Sequence, residues 1–148
     1  MKPFLSFLLL LATQALLAQD NWVTVTSSSS HSQTIETLKK NISAKGFKIF
    51  DVIEHAKEAA SAGMTLRPTT LIIFGNPKAG TLVMTCDQRM GRVLPLKILV
   101  WEDENHQVKA GFVDPTKYLK EYTLDNCKDV IAKMKSVQEE FLKGVEGK

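Results

Sequence analysis

The sequence is poor in the residues that announce chemistry. It holds two cysteines and three histidines in 148 residues. Neither cysteine belongs to a CxxC motif or a zinc-type cluster, which excludes the common structural zinc modules. No glycine-rich stretch has the spacing of a P-loop or of a dinucleotide-binding turn. There is no strong excess of one charge: the formal net charge is +3, with lysines scattered along the chain. The C-terminal stretch mixes Lys133, Lys135, Glu139, Glu140, Lys143 and Glu146. Mixed signs on one helix mark a solvated face and exclude a nucleic-acid footprint. There is no internal repeat, and no low-complexity segment beyond Ser27 to Ser30. The longest apolar run, Phe4 to Leu17, falls short of the roughly 20 residues that span a bilayer comfortably.

That run follows Met1-Lys2-Pro3, and the pair reads as the charged and apolar regions of a secretory signal peptide. A leader over residues 1–18 is expected, with cleavage near Ala15 or Ala18, followed by a single domain over 19–148. Its removal takes away Lys2 and no acid, so the mature charge falls from +3 to +2. The expected location is the periplasm or the exterior, with no membrane span after cleavage. An oxidising compartment permits one bridge between Cys86 and Cys127. Burial as a small apolar residue is the commoner use of isolated cysteine, so two unpaired buried thiols are expected and the bridge is the alternative.

Periodicity sets the elements. Trp22 to Thr26 alternates apolar and polar residues and reads as a strand. Ser30-His31-Ser32-Gln33 matches a capping box, so a helix begins there, with Ile35, Leu38 and Ile42 on its apolar face and Gly46 ending it. Phe47 to Ile53 reads as a strand and Glu54 to Ala62 as a short helix that Gly63 and Pro68 terminate. Thr69 to Phe74 is a continuous apolar run, the pattern of a strand covered on both faces or at a tight interface. Gly75-Asn76-Pro77 breaks it, and a helical stripe runs from Lys78 to Met90. A hairpin follows, Leu96 to Trp101 and Gln107 to Val113, turning at Glu102 to Asn105. Asp114-Pro115 opens a short helical turn. Asn126 or Asp125 is placed to cap a last helix with the stripe Cys127, Val130, Ile131, Met134, Val137 and Phe141. The order β-α-β-α-β-α-β-β-α suits an α/β fold of the α+β two-layer sandwich kind, one sheet of about five strands with helices packed on it.

Several stretches carry a family resemblance. They are Gly63-Met-Thr-Leu-Arg-Pro68-Thr69, then Leu71 through Phe74-Gly75-Asn76-Pro77-Lys78-Ala79-Gly80-Thr81, then Leu94-Pro95-Leu96-Lys97 and Trp101-Glu102-Asp103. With His55-Ala56 upstream, this ordered set resembles the family catalogued as domain of unknown function 302, over about Val23 to Leu142. The resemblance implies a compact α/β domain that often self-associates and has no settled activity. Two positions depart from the pattern: Val93 stands where an acid often precedes the Leu-Pro pair, and Phe112-Val113 replaces a Tyr-Asn pair.

Three residues are candidates for binding a ligand: His55, Asn76 and Lys97. Glu54-His55-x-x-Glu58 puts His55 and Glu58 on one side of a short helix, a pair able to move a proton. The Phe74-to-Gly80 turn leads into a helix and presents backbone N–H groups. Lys97 is a charge inside an apolar strand, lining a cleft or snorkelling to the sheet edge. If the strands before His55 and Asn76 run parallel, both exits fall at one edge and the two side chains share a pocket. The reading best supported by sequence is a non-enzymatic module that binds a small ligand or a partner. The alternatives are an enzyme using His55 as acid–base on a small anionic substrate, and a metal-binding or redox-responsive protein. No cofactor and no metal site is assigned, and a homodimer is the expected assembly.

Overall fold

Capping and alternation place most elements within a residue or two of their expected bounds. The computed structural model describes residues 21–147; the expected leader lies outside them. The strands are β1 (Trp22–Thr26), β2 (Lys48–Glu54), β3 (Thr69–Gly75), β4 (Leu96–Glu102) and β5 (Val108–Val113). The helices are α1 (His31–Ala44), α2 (His55–Ser61), α3 (Pro77–Cys86) and α4 (Lys128–Lys143). Short 3-10 turns occupy Gln88–Arg92, Pro115–Lys120 and Asp125–Cys127. Ser30 forms the expected capping box with Gln33, each side chain meeting the other's backbone N–H.

The strands form one sheet in the order β1-β5-β4-β3-β2. Every pairing is antiparallel. The fold is therefore the expected two-layer α/β arrangement, but the parallel pairing considered for β2 and β3 is overturned. A parallel return would travel back along the seven residues of β2, roughly 23 Å. The seven-residue α2 covers only about 10 Å of it, and the residues after it stay at the same sheet end, with Arg67 donating to the Glu102 carbonyl and the Glu102 N–H donating to the Pro68 carbonyl. The chain instead turns at the sheet end, and β3 runs back beside β2 with Glu54 opposite Thr70 and Lys48 opposite Gly75.

One face of the sheet holds the core. Ile72, Phe74, Ile98, Val100, Ala110 and Phe112 point into it and meet Leu38 and Ile42 of α1 and Ile131, Phe141 and Leu142 of α4. At its centre Phe47, Phe74 and Phe141 pack edge to face in a triangle, with ring centroids 5.7 to 6.0 Å apart. The opposite face carries Trp22, Leu71, Ile73, Leu99, Trp101 and Val113, each at least partly exposed. Trp22 and Trp101 lie 6.0 Å apart across that face. The apolar run of β3 is thus buried on one side only, and β4 is the middle strand of the sheet.

Two helix boundaries differ from expectation. The stripe from Lys78 to Met90 is interrupted at Asp87. Its carboxylate accepts hydrogen bonds from the Arg89 backbone N–H and guanidinium and from the Thr123 N–H, which draws the chain into a 3-10 turn. Neither Asp125 nor Asn126 caps α4 through its side chain; they form a 3-10 turn that leads into it. Cys127 is bonded to Cys86, 41 positions earlier, so the expectation of two free thiols is corrected. The end of α3 packs against the Asp125–Cys127 turn and brings the two Cα atoms to 6.4 Å, within the span of a disulfide.

Candidate functional site

The sharp exit from β3 builds a pocket. Gly75 lets the Phe50 ring approach closely: a Cβ there would lie 3.1 Å from Phe50 Cε2. Asn76 then caps α3, its side-chain oxygen accepting from the Ala79 N–H at 3.1 Å, with Pro77 in the first turn. Pro77 has no N–H, and the Ala79 and Gly80 N–H groups are taken by the Asn76 side chain and carbonyl, which leaves the turn little of the anion-binding capacity expected of it. What α3 and α4 leave between them, at the end of β2, β3 and β4, is a cavity of about 540 Å³. Its walls are Phe47 and Phe50, then Ala79, Gly80 and Met84 of α3, Gly91, Leu94 and Pro95 of the following loop, Leu96 of β4, and Val130, Met134 and Val137 of α4. Lys133 is the one charged residue in the lining, and no acid joins it.

The three candidate residues do not converge. Asn76 lines this cavity. His55 opens α2 beside the start of β3, whereas Asn76 follows its end, so the two lie at opposite ends of the sheet. The shared pocket is therefore overturned, and the cause is the antiparallel pairing of β2 with β3. Lys97 lies near the Asn76 end, opposite Ile73. Its Nζ donates to the backbone carbonyls of Val93 and Pro95, both at 2.8 Å. These bonds tie the ammonium to the preceding loop, and desolvation holds its pKa below the usual lysine value. Lys97 borders a separate, smaller cavity of about 170 Å³.

The other histidines are held by local structure. His31 Nε2 lies 3.3 Å from the Val100 carbonyl oxygen, and His106 Nδ1 lies 2.6 Å from Glu102 Oε1 in the β4–β5 turn. Among the described residues no group of three or more His, Cys, Asp or Glu is placed to share a metal ion. The most perturbed carboxylate is Asp87. The Arg89 guanidinium, and then the Thr123 N–H, hold it far below the usual carboxylate range. It anchors the loop that forms one pocket wall.

Sequence reasoning missed Phe50 and the α4 wall. Val130, Met134 and Val137 fall on the stripe assigned wholly to the core, and periodicity does not separate a residue facing a core from one facing a cavity. Phe50 sits at a break in the β2–β3 register between Ile49 and Asp51, which alternation alone does not reveal.

The chain belongs to the family described as Domain of unknown function DUF302, whose pattern matches residues 23–141. A solved structure of like fold, an uncharacterized conserved DUF302 protein from Bacillus stearothermophilus, superposes with a TM-score of 0.76. It is 22% identical, and the match covers 84% of this chain and 98% of that one. Two curated relatives are each 37% identical over 111 residues, or 75% of this chain. Both are called Fluoride-specific ion channel FluC 1, one from Brucella suis biovar 1 and one from Brucella abortus biovar 1. The chain spans less than half the length of either, 44% and 41%.

Proposed function

We propose that this domain is a non-enzymatic binding module that takes an apolar small molecule into the cavity between α3 and α4. The observation that carries the reading is the cavity itself: about 540 Å³, almost wholly apolar in lining, and beside the Asn76 turn. Ligand sites typically measure about 300–1,000 Å³ and are lined mainly by hydrophobic side chains. An enzyme built on His55 loses its support, because Asn76 and Lys97, the groups meant to orient its substrate, lie away from it. The fluoride-channel names belong to relatives of which the match covers only 44% and 41%. A lining so apolar offers little to offset desolvation of a small anion such as fluoride.

A pocket-filling variant tests the reading. At Gly80 an added Cβ would rest 3.8 Å from Leu94 Cδ1, an ordinary contact, so a larger side chain enters the cavity without a clash at its first atom. Gly80→Leu is expected to abolish binding of a neutral environment-sensitive dye such as Nile red. Stability should hold or rise by up to about 0.8 kcal/mol, since leucine is the better helix former. Undiminished dye fluorescence in a folded variant would sink the proposal.

Export and self-association are part of the same proposal. The leader-like segment supports export. The second sheet face supports pairing with another copy of this chain. A sheet covered on one side has no need of the apolar residues Leu71, Ile73 and Leu99 on the other. The lysines on that face are already engaged: Lys97 with backbone carbonyls, and Lys109 with Thr26 at 2.7 Å and Gln107 at 2.9 Å. The exported protein should begin between residues 16 and 20 and sediment as a dimer that Leu99→Lys turns into a monomer. An intact Met1, or a monomer before the substitution, would contradict the respective half.

A further inference from the structure

The cavity lining is sorted by chemistry in a way that points to one class of ligand. Inside, the groups are aromatic, aliphatic and thioether. A ligand with polar groups spread along it, such as a sugar or a nucleotide, would bury them without partners at substantial cost. Met84 of α3 and Met134 of α4 both line this space. Unbranched, polarizable side chains of this kind adapt to a flexible guest.

The charge on the lining is of one sign and free. Lys133 is exposed and lines the cavity. Its neighbours on α4 are engaged, Lys128 with Asp125 at 2.8 Å and Lys135 with Asp114 at 2.6 Å. Among the described residues Lys133 has no carboxylate within ion-pair distance. Resting on the reading above, we infer that the pocket takes a single-chain amphiphile with an anionic head, such as a fatty-acid carboxylate. The chain lies between α3, α4 and the sheet end, and the head meets Lys133 at the surface. Lys133 stands on the solvent side of α4, so its replacement does not disturb the core.

Calorimetric titration of the full exported protein separates this inference from the one it rests on. The probes are octanoate, decanoate and dodecanoate, then 1-dodecanol and dodecyltrimethylammonium, all below their micelle thresholds. Affinity should rise about fourfold per added methylene as chain surface is buried. Dodecanoate should bind about fivefold tighter than dodecanol, the upper range for an exposed charge pair. The cationic probe should bind most weakly. Lys133→Glu should remove the preference for dodecanoate and leave dodecanol within twofold, while Lys133→Arg retains it. Equal binding of dodecanoate and dodecanol, or a preference that survives Lys133→Glu, overturns the head-group assignment but leaves the apolar pocket standing. Failure of every chain to bind overturns both.

Discussion

Removing the Cys86–Cys127 bridge is expected to destabilise the protein by about 3–4 kcal/mol, the chain-entropy value for a closed loop of this length. The bridge joins residues 41 apart in sequence. It also ties the end of α3 to the turn that precedes α4, the two helices that wall the cavity. The paired substitution Cys86→Ala with Cys127→Ala keeps the buried sites apolar. At roughly 3–4 °C per kcal/mol for a domain of this size, the melting temperature should fall by about 10–15 °C. Reductant should produce a similar shift in the unaltered protein and none in the variant. Ligand affinity should fall as well, because the groove is then held open by packing alone. A melting temperature within 2 °C of the parent, a threshold of roughly half a kcal/mol, would mean that the bridge constrains little in the unfolded chain.

Phe141→Ala should cost a similar amount, about 3–5 kcal/mol. Phe141 is 1% exposed and packs against both Phe47 and Phe74, at 5.8 and 5.7 Å between ring centroids. Truncation removes the α4 member of the triangle and leaves a void that the rigid sheet cannot collapse to fill. Phe50→Ala is the matched control. Phe50 is 46% exposed and borders the cavity. Its loss should cost less than about 1 kcal/mol of stability and weaken ligand binding. Chemical denaturation of both variants checks the contrast. Equal destabilisation would mean that Phe50 belongs to the core.

The elements were legible because each is announced locally. Ser30 and Gln33 declare the start of α1, Pro77 the start of α3, and the alternation in Trp22 to Thr26 a strand. Pairings over distance were not. The direction of β3 against β2 depends on where a short helix sets the chain down, which no pattern in residues 55–68 encodes. The Cys86–Cys127 bond depends on the meeting of α3 with a turn 41 residues away. Of the candidate residues, Asn76 was legible from its place in a Gly-Asn-Pro exit, and it does line the cavity. Lys133 was read as part of a solvated face, and it is exposed. Its place beside the cavity comes from the angle between α3 and α4, a property of packing.

Amide chemical-shift mapping of the labelled protein with dodecanoate tests the central claim most directly. Glycine amides serve as well-separated reporters. Gly80 and Gly91 line the cavity, while Gly63 ends α2, the helix that His55 opens at the other end of the sheet. The account predicts saturable shifts at Gly80, Gly91 and the Val130-to-Val137 amides, with Gly63 and His55 unmoved. Shifts centred on His55 and Gly63, or none at saturating ligand, would contradict it.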